Sequence, residues 1–139
     1  MENTSKWSKA RTVTYWITTG IIVLETGAGA EWDLVPNTSN HTFVLNIFKH
    51  LNYPEYMLII LGVWKILAFI ALLAPGFGRL KEWAYAGLFF VYTGAAASHL
   101  LAGDGPDRWA GPLVFGGITL VSWALRPQGR RLGDILPNT

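Results

Sequence analysis

The chain has 139 residues, 51% of them hydrophobic and only 14% charged, where an ordinary soluble domain carries about 25% charge. That length allows one domain, 1–139, and a net charge of +2 spread over short basic flanks excludes a nucleic-acid surface. The absence of cysteine excludes disulfides, iron–sulfur ligation, thiolate zinc sites and thiol redox chemistry in this chain.

The first apolar segment runs from about 12 to 30. Lys6 to Ala30 has the layout of a signal peptide, with Ala28-Gly29-Ala30 in the place of a cleavage site, but the segment reads as a retained helix. A long connection follows, to about Tyr53, and a structureless loop of that length would be unusual. Within it, a helix over about 41–51 places Phe43, Val44, Ile47, Phe48 and Leu51 on one face, and Thr42, Asn46, Lys49 and His50 on the other. Ser39 or Asn40 is placed to cap it. Such a helix lies over the other helices or on the membrane surface, as a packed cover or as a gate above a pocket. The triplets at Asn37 and Asn40 fit the glycosylation pattern, which recurs often by chance.

The second segment, about 56–74, opens after Pro54 with Glu55 at the anion-favouring helix end, and Pro75-Gly76 stops it. The third runs from about 83 to 102 and the fourth from about 107 to 125. Pro106 suits the first turn of the fourth and Asp104 its cap, while Pro112 should kink that helix or delay its start. Each segment approaches the 20 or so apolar residues that span a bilayer, and none carries the charge-every-turn face of a soluble helix. Trp32, Trp83, Trp109 and Trp123 fall near helix ends, where indole rings favour the interface; Trp7 lies in the N-terminal flank. The fold class is therefore all-α, an integral membrane four-helix bundle with a short amphipathic helix in the first outer loop.

Basic residues set the orientation. Lys6, Lys9, Arg11, Arg79, Lys81, Arg126, Arg130 and Arg131 lie on one side, and only Lys49 and Arg108 on the other. The positive-inside rule puts both termini in the cytoplasm.

The remaining basic residue, Lys65, sits mid-segment beside Trp64. An ionised group at the bilayer centre costs about 2.5 to 3.5 kcal/mol on insertion, and a lysine stem reaches about 6 Å toward either surface. In the folded protein its amine needs a partner or water. Glu25, one turn below the outer end of the first segment, is the nearest carboxylate by depth; Tyr92, Ser98 and His99 on the third are the nearest neutral groups. One reading has a Lys65–Glu25 pair that only fixes helix register. The other has Glu25, Lys65 and His99 lining an outward-facing pocket, with Trp64, Tyr92, Ser98, Asn46 and His50 as further ligand contacts. TGAAASHL, Thr93 to Leu100, supplies either a close helix contact or room for a ligand beside His99.

Four stretches carry a resemblance: HLNYPEY (His50 to Tyr56), LGVWKILAFIALLAPGF (Leu61 to Phe77), RLKEWAYAGLFF (Arg79 to Phe90) and TGAAASHLLAGD (Thr93 to Asp104). Together they resemble the DoxX-like family of small bacterial proteins with four membrane helices. Segment one and its loop match in layout. The resemblance implies a multi-pass protein of a bacterial inner membrane, with relatives that include subunits linked to sulfur or quinone oxidoreduction, partners of redox enzymes and assembly chaperones. Lys65 and His99 stand at positions the family pattern carries.

Two functions compete. In the first, Glu25, Lys65 and His99 hold the polar head of a lipophile such as a quinone; His99 would exchange a proton near neutral pH, and a desolvated Lys65 would act as base or nucleophile. No signature fixes a reaction, so catalysis stays open. In the second, the chain is an accessory or assembly subunit for a membrane or redox protein partner, or a homo-oligomer, using its small-residue faces to dock. Transport is weaker, since no inverted repeat is evident. Metal or haem ligation is weaker still: of three histidines only His99 lies in a segment, although His50 could approach it on the outer side.

Overall fold

The computed structural model describes residues 2–132, although the side chains of residues 2–7, Lys6 and Trp7 among them, and of residue 128 lie outside what it describes. It contains five α-helices and a closing 3-10 turn: α1 (Glu2–Leu34), α2 (Ser39–His50), α3 (Tyr56–Leu73), α4 (Gly78–Leu101), α5 (Pro106–Ala124) and the turn Gln128–Arg130. The four long helices pack in cyclic order, α1 on α3, α3 on α4, α4 on α5 and α5 on α1, and α2 lies on α1.

The core is built from one stripe of each long helix. Ile22 and Val23 of α1, Ala71 and Leu72 of α3, and Ala84, Tyr85, Leu88 and Tyr92 of α4 form one buried cluster, with Phe115 and Ile118 of α5 against it. The outer faces are apolar too. Ile17 and Leu24 of α1, Ile59 and Trp64 of α3, Trp83 and Phe90 of α4, and Val114 and Leu120 of α5 are all exposed. An apolar outside on every long helix is the inverse of what water selects. Among the described residues, α3 and α4 are long and apolar enough to cross a membrane.

Helix boundaries differ from the sequence reading at informative places. The first helix is longer at both ends and runs past Ala30 by one turn, to Leu34. The cap of α2 is Thr38, whose hydroxyl accepts from the His41 amide at 3.0 Å, rather than Ser39 or Asn40. Asp104 does not cap α5. Gly105 holds that position without a side-chain bond, and α5 starts on time at Pro106 and continues through Pro112.

TGAAASHL packs only in part: Ala96 is buried and Thr93 faces Gly116 of α5. Gly94 has open space around it. It is Gly62 that lets α3 meet the end of α1: a Cβ there would stand 2.4 Å from Leu34 Cγ and 3.0 Å from Asp33 Cβ.

The basic end of the molecule is tied by its cations. The last carbonyls of a helix have no partner within it. Lys81 is buried and spans back to α3, donating to the Ala71 carbonyl at 2.6 Å and also to that of Ala74. Arg130 donates to Leu72 at 3.0 Å. Arg126, also buried, donates to Glu82 at 2.6 Å while its guanidinium lies over the Tyr85 ring. Beneath it, Ser122 links the hydroxyls of Thr19 and Tyr85 at 2.7 and 2.8 Å.

Candidate functional site

The opposite end gathers the polar residues of the first three long helices. Glu25, Gly29 and Asp33 recur every four residues, so α1 presents them on one face. Lys65 comes from the middle of α3 toward that face. Its Nζ passes over Gly29, where a Cβ would stand 3.0 Å away, and reaches Asp33 Oδ2 at 2.7 Å. Asp33 is 1% exposed and Lys65 16% by side chain, so this is a buried ion pair.

This corrects the expected Lys65–Glu25 pair. The extra turn of α1 carries Asp33 over Gly62, one turn before Lys65 on α3, within reach of the lysine stem. Glu25 instead accepts a hydrogen bond from the Tyr92 hydroxyl, while lying close enough to Lys65 and Asp33 to feel both charges. Tyr92 stacks on Phe115, which holds the phenol in place. Beside them Thr26 is fully buried.

The second cluster is made by two helix ends of the same design. At the end of α4, Gly103 takes a left-handed conformation (φ 80°); its amide bonds Leu100 O and the next amide, of Asp104, bonds His99 O. At the end of α2, Asn52 (φ 60°) bonds Lys49 O and Tyr53 bonds Phe48 O. Both are Schellman turns, which bring the residue after the left-handed one back over the helix. In α2 that contact is apolar, with Phe48 and Tyr53 rings 5.8 Å apart. In α4 it is polar: the His99 Nδ1–H donates to Asp104 Oδ2 at 2.6 Å.

The two turns then join. His50 Nε2–H donates to both Asp104 oxygens at 2.8 and 2.9 Å, and the Tyr53 and Ser98 hydroxyls bond at 2.8 Å. The His50 and His99 rings stack at 6.5 Å, the approach expected on the outer side. The hydrogen bond from His99, with a second from His50, holds the Asp104 carboxyl below the usual carboxylate range. The third histidine, His41, is structural: its ring N–H donates to the Trp32 carbonyl at the end of α1, 2.8 Å away.

Between α3 and α4 a groove of about 470 Å³ opens on the flank of the molecule, walled by Leu61, Trp64, Ala68, Trp83 and Leu88, with Lys65 at its edge. The predicted site residues therefore separate. Lys65 and Trp64 line the groove, and Trp64 is 63% exposed at its rim. Tyr92 locks Glu25, while Ser98, His99 and His50 belong to the helix-end cluster. Asn46 is exposed on the polar face of α2. Asp33, Asp104 and Tyr53 were missed. The spacing of eight from Glu25 to Asp33 on one helical face was the available signal for the first.

A family model for the DoxX-like family matches residues 17–122, which covers α2 to α4 and most of α1 and α5. The chain belongs to the DoxX-like family. Comparison with curated proteins and with solved structures returns no match. The matched span includes the Lys65–Asp33 pair, the Glu25–Tyr92 pair and the His50–Asp104–His99 cluster, so all three lie within the DoxX-like part of this membrane protein.

Proposed function

We propose that this DoxX-like protein spans the cell membrane several times, as a four-helix bundle with both termini cytoplasmic. We further propose that it binds a small lipophilic molecule with an oxygen-bearing head, of the quinone class, in the α3–α4 groove. The apolar exterior of all four long helices supports the first part, together with basic residues gathered at the end where α3 meets α4. The groove carries the second. Its volume, about 470 Å³, falls in the range of small-molecule sites, and among the described residues that line it Lys65 is the one titratable group. An ammonium has three donors. Lys65, whose amine pairs with Asp33 and whose side chain also lines the groove, is the donor we assign to a carbonyl or oxyanion arriving through it. Membrane redox systems use such ligands, and that is the setting we assign.

The groove's opening along the helix flank favours a second reading, an accessory subunit that seats a partner's helix between Trp64 and Trp83.

One experiment separates them. Thermal unfolding of the detergent-solubilised chain is followed with a series of soluble quinone analogues. The wild type, Lys65→Ala and Gly87→Phe are compared; Gly87 lines the groove and has room for a side chain. Binding stabilises by about 2.7 kcal/mol at a hundredfold excess over Kd. A shift in the wild type that both variants lose supports the small-molecule site. Equal shifts in all three, or none, overturn it, and the accessory reading then stands.

A further inference from the structure

The helix-end cluster has a property that neither a groove nor an ion pair requires. His50 Nε2, His99 Nδ1 and an Asp104 carboxylate oxygen lie within 4.8 Å of one another, with each ring nitrogen directed at the carboxylate. They come from three places: the last turn of α2, the last turn of α4, and the turn joining α4 to α5. We propose that these three residues form a binding site for a divalent first-row transition ion of the zinc class, at the junction of α2 with α4.

Three features argue for it. The donor set, two imidazoles and one carboxylate, suits zinc and its neighbours and leaves a fourth position open to water. The spacing is close to what the ion needs. Tetrahedral ligands at about 2.0 to 2.2 Å stand roughly 3.3 Å from one another, and the present contacts are 2.6 to 2.9 Å. An opening of about half an ångström at the carboxylate, with loss of the two bridging protons and adjustment of the two ring nitrogens, which lie within 4.8 Å of each other, toward the same spacing, makes the site.

The third feature is the field. His50 is the final residue of α2, and His99 lies two residues before the end of α4. Two helix C-termini, each with partial negative charge, thus converge on one carboxylate. The basic side chain nearest in sequence, Lys49, is drawn away to Glu55 at 3.2 Å. The framework is also held independently of the three ligands, by the backbone bonds of both Schellman turns and by Tyr53–Ser98. The ligands therefore do not have to assemble the site on their own.

An ion there would clamp α2 to the end of α4, with one coordination position facing solvent. His50 is 44% exposed by side chain, so the site is reachable from water.

The test uses the full chain, free of any histidine tag, purified in detergent and stripped with chelator. Zn²⁺ and Co²⁺ are titrated into the wild type, His50→Ala and Asp104→Asn, with Mg²⁺ as the oxygen-preferring control. The expected result is one ion per chain, a ligand-field spectrum for Co²⁺ that shows nitrogen ligation, and at least a tenfold loss of affinity in each variant. Unchanged circular dichroism in His50→Ala, whose side chain contributes nothing to the core, keeps the comparison valid. Equal affinity in wild type and His50→Ala, a wild type that binds no zinc, or equal preference for Mg²⁺ would each overturn the proposal.

Discussion

Lys65 Nζ lies 2.7 Å from the carboxylate of Asp33, a residue on the last turn of α1. The pair crosses from the middle of one helix to the end of its neighbour, through a gap that Gly29 and Gly62 leave open. Removing one member of a buried pair strands the other. Asp33→Asn should therefore destabilise the protein by about 3 to 5 kcal/mol. The double variant Asp33→Asn, Lys65→Met removes both charges and should recover most of the loss. Unfolding in detergent of the two single variants and the double one closes the cycle. A single variant within experimental error of wild type would show that the amine finds water without the carboxylate.

Gly62 and Gly94 make a paired test of where helices meet. A Cβ at Gly62 would overlap Leu34 and crowd Asp33, whereas at Gly94 it meets nothing within 4 Å. Gly62→Ala should cost about 1 to 3 kcal/mol of overpacking. Gly94→Ala should be neutral or stabilising by up to about 1 kcal/mol, through helix propensity. Thermal melts of both variants read the difference. The reverse ranking would move the close contact to the small-residue run of α4.

Lys81 replaces the missing hydrogen bonds at the end of α3, on Ala71 and Ala74. Lys81→Met keeps the stem and removes the donors. It should cost about 1 to 3 kcal/mol for each carbonyl left unsatisfied. The Ala74 amide, bonded to Ile70, should exchange faster with deuterium. Arg79→Met, at an exposed position two residues away, is the control and should change neither reading.

The sequence made the helices legible because apolar runs and prolines mark them: Tyr56, Pro75-Gly76 and Pro106 stand within a residue or two of observed boundaries. It was less informative wherever a polar residue works at a helix end. Asp33 follows Trp32 and looks like the start of a loop, so the extra turn of α1 and its carboxylate went unassigned. Asp104 fits a helix cap in pattern, yet the Schellman turn at Gly103 folds it back onto His99. Lys81 counts as a flanking charge until α4 is seen to start at Gly78, which places it against α3. The meeting of His50 with His99 was readable from their shared place at the end opposite the basic flanks. The third member of their cluster was not, because it depends on a backbone turn rather than on spacing.

On the proposed topology, the cations that close the end of α3 would serve two stages of the protein's life. During insertion, positive charge beside an apolar segment determines which way that segment faces. In the folded protein Lys81 and Arg130 are bonded to carbonyls of the segment whose placement they would bias. A substitution that weakened the topological signal would in the same step uncap a helix. Misoriented chains and misfolded chains should therefore arise from the same positions, and neither Lys81 nor Arg130 is free to drift toward an acidic or apolar residue without loss on both counts.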